Sequence, residues 1–298
     1  MTELQKFLLE RRLEEEKSRQ RVVRIISQVF LYLFLAVMAI IVVFPFYFML
    51  ISSVKELAEY RQTVQTLWPN KIVFYNYIEA FKTAKLSTLF MNTLYVGIVS
   101  TVLSLIITVI TAFVFARLEF KGKNAMFAAL LATMMIPGEL FTITNYQTVN
   151  TFGWMKTYTV LIVPFLVSVF YIYLLRQNFL QIPNELYLAA KVDGTSDIKY
   201  LWKVMIPLAL PTLISITILK MMGAWNSYIW PRLVANDDAH KLITNGLRGA
   251  SFMDTTTNEP HIPQQMAAVA LVSIPLFLVF IFLRKYIMKG VSRSGIKG

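Results

Sequence analysis

The chain alternates between long apolar segments and shorter polar ones. Six apolar segments stand out, and each is close to or longer than the roughly 20 residues that an α-helix needs to cross a bilayer. The third contains Pro137, Gly138 and Glu139, so we expect a helix break beside a carboxylate there. The pattern predicts an all-α membrane protein with six transmembrane helices, at residues 29–51, 86–116, from about 125, 157–175, 205–230 and 262–283.

The distribution of basic residues predicts which side of the membrane each polar segment occupies. Six helices place both termini on one side, and 19 of the 29 Lys and Arg residues lie in polar segments of that side, against 9 opposite. Basic residues favour the cytoplasm, so both termini are expected there. The predicted organisation is a cytoplasmic tail (1–28), a transmembrane domain (29–283) and a cytoplasmic tail (284–298), with a cytoplasmic loop at 177–204 and external loops at 55–85 and 231–261.

Composition agrees with a membrane protein and excludes several other classes. Hydrophobic residues make up 56% of the chain and charged residues 15%, which is more apolar surface than a soluble domain hides. The net charge of +12 is explained by the basic cytoplasmic segments, so no nucleic acid is expected as a partner. Cysteine is absent, and His240 and His261 are far apart in one loop, so we expect no metal site.

The sequence also lacks the motifs of common enzymes. It contains no phosphate-binding GxxxxGK[ST] loop, no HExxH pair and no nucleophile elbow. No acid–base or metal constellation occurs on the apolar segments either. We therefore expect no catalytic residue and no cofactor bound by this chain, so that any energy source must belong to a partner.

The most informative polar stretch is residues 182–213, which predicts two short helices joined by a sharp turn. Pro183 suits the first helical turn, and Gly194 offers the left-handed conformation that ends a helix. Thr195 and Ser196 supply oxygens to cap the next helix. Leu186, Ala189 and Ala190 share one face of the first helix, which favours close docking of another backbone or packing on the protein itself.

This stretch resembles the EAA loop of permease subunits of bacterial ABC importers, a family with the type I importer fold. In that family the loop is a cytoplasmic coupling helix that lies in a cleft of the ATPase subunit. Leu188 stands where the family usually has the glutamate of the motif, so Glu185, one turn earlier, is the candidate for its ion pair. The resemblance implies ATPase coupling by Glu185, Leu188, Ala189, Ala190, Asp193, Gly194, Pro207 and Pro211.

Further motifs are similar to those of the carbohydrate-importer branch, which includes the maltose permease subunits. They are Pro45-Phe46, Asn92-Thr93-Leu94, Ala116-Arg117, Trp225-Asn226 and the C-terminal Gly295-Ile296-Lys297-Gly298. The resemblance implies a heterodimer with a second permease, two ATPase subunits that bind ATP and Mg, and an extracytoplasmic substrate-binding protein. It also implies that the C-terminal tail reaches the ATPases through Arg293, Ser294, Gly295 and Lys297.

Polar and aromatic residues within the predicted spans are candidates for the substrate pathway. Charged side chains at membrane depth are costly, so Glu139 and Lys220 are functional hypotheses, although both are near span ends and a purely structural pair is an alternative. Sugars are held by hydrogen bonds and by aromatic planes, although aromatic residues also form interfacial belts. The candidate pathway residues are Glu139, Asn145, Tyr146, Tyr173, Lys220, Trp225, Asn226 and Ser227.

The expected function is that of a multi-pass permease subunit, in the bacterial cytoplasmic membrane, of an ATP-driven importer of a disaccharide or oligosaccharide. One alternative is an importer of glycerol phosphate or another polyol-derived solute, which clustered cations in the pathway would favour. A second alternative is an ion-coupled secondary transporter, which would need buried carboxylates at mid-membrane. Lys220 is the one residue that favours the first alternative, and Glu139 is the one residue that favours the second.

Overall fold

A computed structural model of the protein describes residues 3–254 and 257–292. This part of the chain is helical, with turns, short 3-10 and π segments and one isolated β-bridge between Met253 and Pro260. The α-helices are α1 (Glu3–Ser53), α2 (Leu57–Tyr60), α3 (Tyr75–Thr83), α4 (Leu86–Arg117), α5 (Lys123–Thr133), α6 (Thr142–Thr151), α7 (Tyr158–Ile162), α8 (Val169–Leu180), α9 (Asn184–Val192), α10 (Asp197–Tyr200), α11 (Ile206–Leu208), α12 (Leu210–Trp225), α13 (Ile229–Val234), α14 (Ile243–Gly249) and α15 (Ile262–Ser292).

Three helices in the described residues are long and apolar enough to cross a membrane unbroken. These segments are Gln20–Ser53 in α1, Leu86–Arg117 in α4 and Ile262–Arg284 in α15. The first apolar stretch and the polar tail before it form one continuous helix. α1 packs along α15, where Phe46 meets Phe277 edge to face with ring centroids 5.7 Å apart. The apolar side chains of α1 from Val22 to Phe44 are exposed and available to lipid or a partner.

The other apolar segments are bent helix pairs rather than straight spans. Continuous helices over 157–175 and 205–230 were expected, whereas breaks were expected only near Pro137. Pro164 and Pro207 explain the difference, because proline has no N–H for the helical ladder and clashes with the preceding turn. The pairs and their angles are Lys123–Thr133 with Gly138–Thr151 (79°), Tyr158–Phe165 with Val169–Leu180 (45°) and Asp197–Leu208 with Leu210–Trp225 (79°).

α4 is the central helix of the bundle and packs against α8, α12 and α14. Its buried face carries small polar residues, among them Ser100, Ser104 and Thr108, which let neighbouring helices approach closely. Gly97 shows how tight this packing is, since a Cβ at this position would lie 3.2 Å from the Met221 side chain of α12. α4 therefore fixes the relative positions of the broken spans around it.

The segment after α1 folds back onto the end of that helix. Lys55 is completely buried, and its ammonium donates to the Thr66 carbonyl. Asn76 of α3 donates to the carbonyls of Ser53 and Lys55, at 3.0 and 2.8 Å. These bonds satisfy carbonyl groups that the end of a helix leaves without intrahelical partners. The predicted external loop is thus an ordered cap that contains α2 and α3.

Candidate functional site

The turn between α9 and α10 has the geometry of a Schellman motif. The Thr195 N–H donates to the Ala190 carbonyl at 2.8 Å, and the Gly194 N–H donates to the Lys191 carbonyl at 3.0 Å. Gly194 has a φ of +69°, which confirms the left-handed conformation expected of it. No heavy atom lies within 4 Å of a Cβ built at Gly194, so backbone conformation alone requires glycine there.

The helix starts on either side of this turn differ slightly from expectation. Pro183 occupies the position before α9 rather than the first helical turn, with an extended ψ of 135°. Of the two predicted capping residues, Ser196 caps α10 by accepting from the Lys199 N–H at 3.4 Å. Both ends of the turn are therefore closed by local hydrogen bonds, which makes the two helices one unit.

Side chains on the inner face of α9 attach it to the rest of the protein. Tyr187 and Ala190 pack against a buried cluster from α4, α8 and α10 to α12. The Tyr187 hydroxyl donates to Asp197 at 2.7 Å, and the Lys191 ammonium pairs with the same carboxylate at 2.8 Å. The hydrogen bond to Asp197 raises the pKa of Lys191. α9 and α10 are thereby joined by side chains as well as by the turn.

The outer face of α9 carries apolar residues that no part of the described chain covers. Leu188 is 56% exposed and Val192, one turn later, is 87% exposed. Leu186, Ala189 and Glu185 are also exposed. Ala190 instead turns inward, so the expected face of Leu186, Ala189 and Ala190 is divided between two sides of the helix. We call the exposed side, formed by Leu186, Leu188, Ala189 and Val192, the outer face of α9.

The apolar surface continues beyond the turn. Ile198 is 71% exposed and Trp202 is 64% exposed, on the segment that leads from α10 into α11. Asp193 is exposed between these residues and α9. Large apolar side chains grouped on an exposed surface indicate an interaction site. This surface is suited to contact another protein.

Pro207 and Pro211 lie at the bend that follows the turn. Neither residue has an N–H to bond the carbonyl four positions earlier, and the chain bends by 79° between α11 and α12 at Ala209. A π-helical turn at Leu201–Met205 precedes the bend. The two prolines therefore direct α12 into the bundle while α9 and α10 stay outside it.

Arg117 connects the end of α4 to the start of this unit. Its guanidinium is buried and donates to the carbonyls of Phe179 and Ile182 at 2.9 and 2.6 Å. A third, longer contact joins it to the Asn184 side chain at 3.5 Å. These carbonyls belong to the end of α8 and the approach to α9. Sequence analysis identified Arg117 as part of a motif but not its role, since the partners are 62 to 67 residues away.

A cavity with a volume of about 450 Å³ lies between α4, the α7–α8 pair and α12. Lys220 and Ser227, two of the predicted pathway residues, line it. The Lys220 ammonium donates to the backbone carbonyl of Phe165, where the α7 segment ends. The other residues along its wall are mostly apolar and include Val96, Leu161, Pro164, Val167, Trp230 and Leu242.

The remaining predicted pathway residues do not line this cavity. Three of them, Glu139, Asn145 and Tyr146, are exposed on the second half of a bent helix pair. This half consists of a 3-10 helix (Gly138–Phe141) and α6. Among the residues that the structure describes, Glu139 and Lys220 do not form the ion pair that was considered as an alternative. The Lys220 ammonium bonds the Phe165 carbonyl instead. These three side chains face away from the chain's own core.

Three further candidates have separate environments. Tyr173 is exposed on α8, and Asn226 bonds back to the Met222 carbonyl at 3.0 Å. Trp225 is buried against Phe90, with ring centroids 5.7 Å apart, in a cluster formed by α3, α4, α14 and α15. It therefore serves packing in this conformation. Its indole type suggested sugar binding, but only the fold shows which side of α12 it occupies.

One set of predicted residues cannot be placed. Arg293, Ser294, Gly295 and Lys297, the expected C-terminal ATPase contacts, lie outside the described residues. Within residues 3–254 and 257–292, no group of three or more His, Cys, Asp or Glu side chains is arranged to hold a metal ion.

Comparisons with known proteins agree with this geometry. A family model described as "Binding-protein-dependent transport system inner membrane component" matches residues 13–293. The arabinooligosaccharides transport system permease protein AraQ of Halalkalibacterium halodurans is 30% identical over 88% of this chain and 94% of its own length. The sn-glycerol-3-phosphate transport system permease protein UgpE of Rhizobium meliloti is 29% identical over 90% of this chain and 97% of its own length.

A solved structure shares the fold. It belongs to a bacterial ABC transporter that imports the acidic polysaccharide alginate, and it matches with a TM-score of 0.78 and 24% identity over 88% of this chain and 96% of the other. Most of the helices described above therefore have counterparts in an importer. The chain belongs to the family of binding-protein-dependent transport system inner membrane components, and it is a membrane permease subunit rather than an enzyme.

Proposed function

We propose that this permease subunit forms half of the membrane pathway of an ATP-driven sugar importer. The three unbroken helices and the three bent pairs make six spans if each pair crosses the membrane once. In this arrangement residues 1–28, 177–204 and 284–298 are cytoplasmic, and residues 55–85 and 231–261 are external. The positive charge of the first group supports that orientation.

The observation that carries the proposal is the outer face of α9. It is apolar, exposed and held rigidly by the Gly194 turn, by Asp197 and by Arg117. We assign it to docking in a cleft of an ATPase subunit, with Glu185 or Asp193 available for a polar contact at its edge. ATP and Mg then bind to two ATPase subunits, and this chain binds neither.

Transport follows from two conformations of the assembled complex. Nucleotide binding to the ATPases favours one conformation, and α9 moves with them because it is docked. Arg117 passes that movement to α4, and the bent α11–α12 segment passes it to the wall of the cavity. A second permease completes the pathway as a heterodimer, and an extracytoplasmic binding protein delivers the solute to the external side.

The proposed substrate is a disaccharide or oligosaccharide. Two of the similar proteins, the AraQ permease and the alginate importer, act on oligosaccharides or a polysaccharide according to their names. Glycerol phosphate is the second candidate, favoured by the UgpE permease and by Lys220 in the cavity. The dependence of the family on a binding protein opposes the ion-coupled secondary transporter.

The Gly194 turn offers the test of this function. Valine at Gly194 forces a β-branched side chain into the left-handed region, at a cost of about 1–2 kcal/mol, and distorts the join between α9 and α10. We expect Gly194→Val to abolish ATP-dependent sugar uptake in proteoliposomes while the ATPases still hydrolyse ATP.

Gly153 provides a matched control for that substitution. It has a φ of +70° and no heavy atom within 4 Å of an added Cβ, as at Gly194, but it lies in the turn before α7. Gly153→Val carries the same backbone strain and should transport normally. Normal uptake by the Gly194→Val variant, or equal loss in both variants, would contradict the coupling role.

A further inference from the structure

Lys220 is a cation at membrane depth without an acidic partner in the described chain. It lines the cavity of about 450 Å³, and no Asp or Glu side chain contributes to that wall. Its visible partner is the Phe165 carbonyl, a neutral group. A charge in an apolar surrounding is costly unless an opposite charge compensates it. An ammonium carries three N–H donors, so two remain for other partners.

The rest of the wall is suited to a sugar ring. The cavity is also lined by three serines, Ser100, Ser168 and Ser227, and by the aromatic residues Phe165 and Trp230. The Ser100 hydroxyl donates to the Gly97 carbonyl at 3.3 Å, and the Ser168 hydroxyl accepts from the Tyr171 N–H at 3.4 Å. Trp230 is held in place by an N–H bond to the Val160 carbonyl at 2.9 Å and by an edge contact with Phe165 at 5.8 Å. The volume lies within the roughly 300–1,000 Å³ typical of small-molecule sites.

We propose that this cavity binds a negatively charged group of the imported sugar, a carboxylate or a phosphate, with the Lys220 ammonium as its partner. The inference rests on the proposed function and narrows its substrate class. The anion compensates the positive charge of Lys220. The serine residues and Trp230 contact the rest of the sugar unit.

The test is direct binding of labelled sugars to the purified permease–ATPase complex, without the binding protein, so that selection by that protein does not enter. The probes are a uronic acid disaccharide, a hexose 6-phosphate and the neutral disaccharide that corresponds to the first. The two acidic probes distinguish a carboxylate from a phosphate. We expect one of them to bind at least about tenfold more tightly than the neutral sugar, since one charge-assisted bond is worth about that factor.

Three variants separate the charge of Lys220 from its hydrogen bond. Lys220→Gln keeps a donor for the Phe165 carbonyl but removes the charge, and it should bind acidic and neutral probes alike. Lys220→Arg keeps the charge and should retain the acidic preference. Lys82→Gln removes an exposed lysine of α3 and should behave as the wild type. Equal or tighter binding of the neutral sugar by the wild type, or an equal loss for all probes in Lys220→Gln, would overturn the proposal.

The failure of this inference is distinguishable from failure of the proposed function. ATP-dependent import of the neutral disaccharide, unchanged in Lys220→Gln, would overturn the anionic substrate and leave the importer intact. Absence of ATP-dependent uptake for every sugar probe would overturn both.

Discussion

Single residues connect distant parts of this permease, and Arg117 is the clearest case. Its guanidinium holds two backbone carbonyls that belong to the end of α8 and the approach to α9, and it does so from the end of α4. Both bonds come from one terminal nitrogen of the guanidinium, whose planar geometry fixes the directions of its N–H groups. Arg117 is therefore a positioning residue for the start of α9.

Replacement of Arg117 by methionine tests this role. Arg117→Met leaves two carbonyls without their charged donor, and hydrogen bonds to charged groups contribute about 1.5–3 kcal/mol each. We expect a lower unfolding temperature and a loss of uptake that exceeds the loss of ATPase activity. Arg117→Lys should restore stability partly and coupling less. Uptake that falls only in proportion to the folded fraction would leave Arg117 a purely structural role.

For single residues, the sequence predicted the structural role correctly where that role depends only on neighbouring residues in the chain. The left-handed conformation of Gly194 and the helix cap of Ser196 depend on residues close in sequence, so both were predicted and confirmed. Arg117 and Trp225 depend on partners far away in the chain, and Lys55 on a carbonyl 11 residues away. Lys55 was expected in a polar loop and is completely buried, and Trp225 was expected in the pathway and packs in the bundle.

At the scale of single elements, α15 begins with a histidine cap. The His261 Nδ1 accepts a hydrogen bond from the Gln264 N–H at 3.4 Å, which requires that nitrogen to be unprotonated. Burial lowers the pKa of His261, with Asp254 and Arg61 as the charged groups that act on it. A protonated ring there loses the cap and places positive charge at a helix N-terminus, which is unfavourable.

A pH-dependent stability follows from this cap. Because the pKa of His261 is lower in the folded than in the unfolded chain, the unfolded chain binds more protons between the two values. The stabilisation is full above pH 6.5 or so and is lost as the pH falls through the folded pKa. We expect a lower unfolding temperature at pH 5.5 than at pH 7.5 in the purified subunit.

The matched variant for this prediction is His261→Asn. Asparagine is a good N-cap residue and does not titrate, so it keeps the acceptor and removes the pH dependence. The variant should show a smaller difference in unfolding temperature between the two pH values than the wild type. An unchanged difference would mean that another group causes it.

Helices were predicted well where the length of an apolar run determines their extent. They were predicted less well where a proline bends the chain within such a run. The apolar runs located α4, which ends one residue after its predicted span, and the start of α15, which continues nine residues beyond its predicted span to Ser292. The 45° bend after Pro164 and the 79° bend after Pro207 were missed, since an apolar run looks the same whether its helix is straight or broken. The bends matter because they create the cavity wall and direct the α9–α10 unit outward.

The whole molecule is organised around two sites joined by α4. The outer face of α9 lies beyond one end of that helix, and the cavity with Lys220 lies beside Val96 and Ser100. The family and the docking segment were recognisable in the sequence because short motifs in a fixed order identify them. The cavity was not, because its wall combines residues from Val96 to Leu242.

The absence of cysteine allows the most direct test of the docking claim. A single Val192→Cys substitution on the outer face of α9 accepts a thiol-reactive photo-crosslinker, as does a Val64→Cys control in the segment predicted to be external. Both valines are highly exposed, at 87% and 80%, so labelling should not disturb the fold. In native membranes we expect the Val192→Cys variant to crosslink to an ATPase subunit and the Val64→Cys variant not to do so. An active Val192→Cys variant without that product, or an ATPase product from Val64→Cys, would contradict the account.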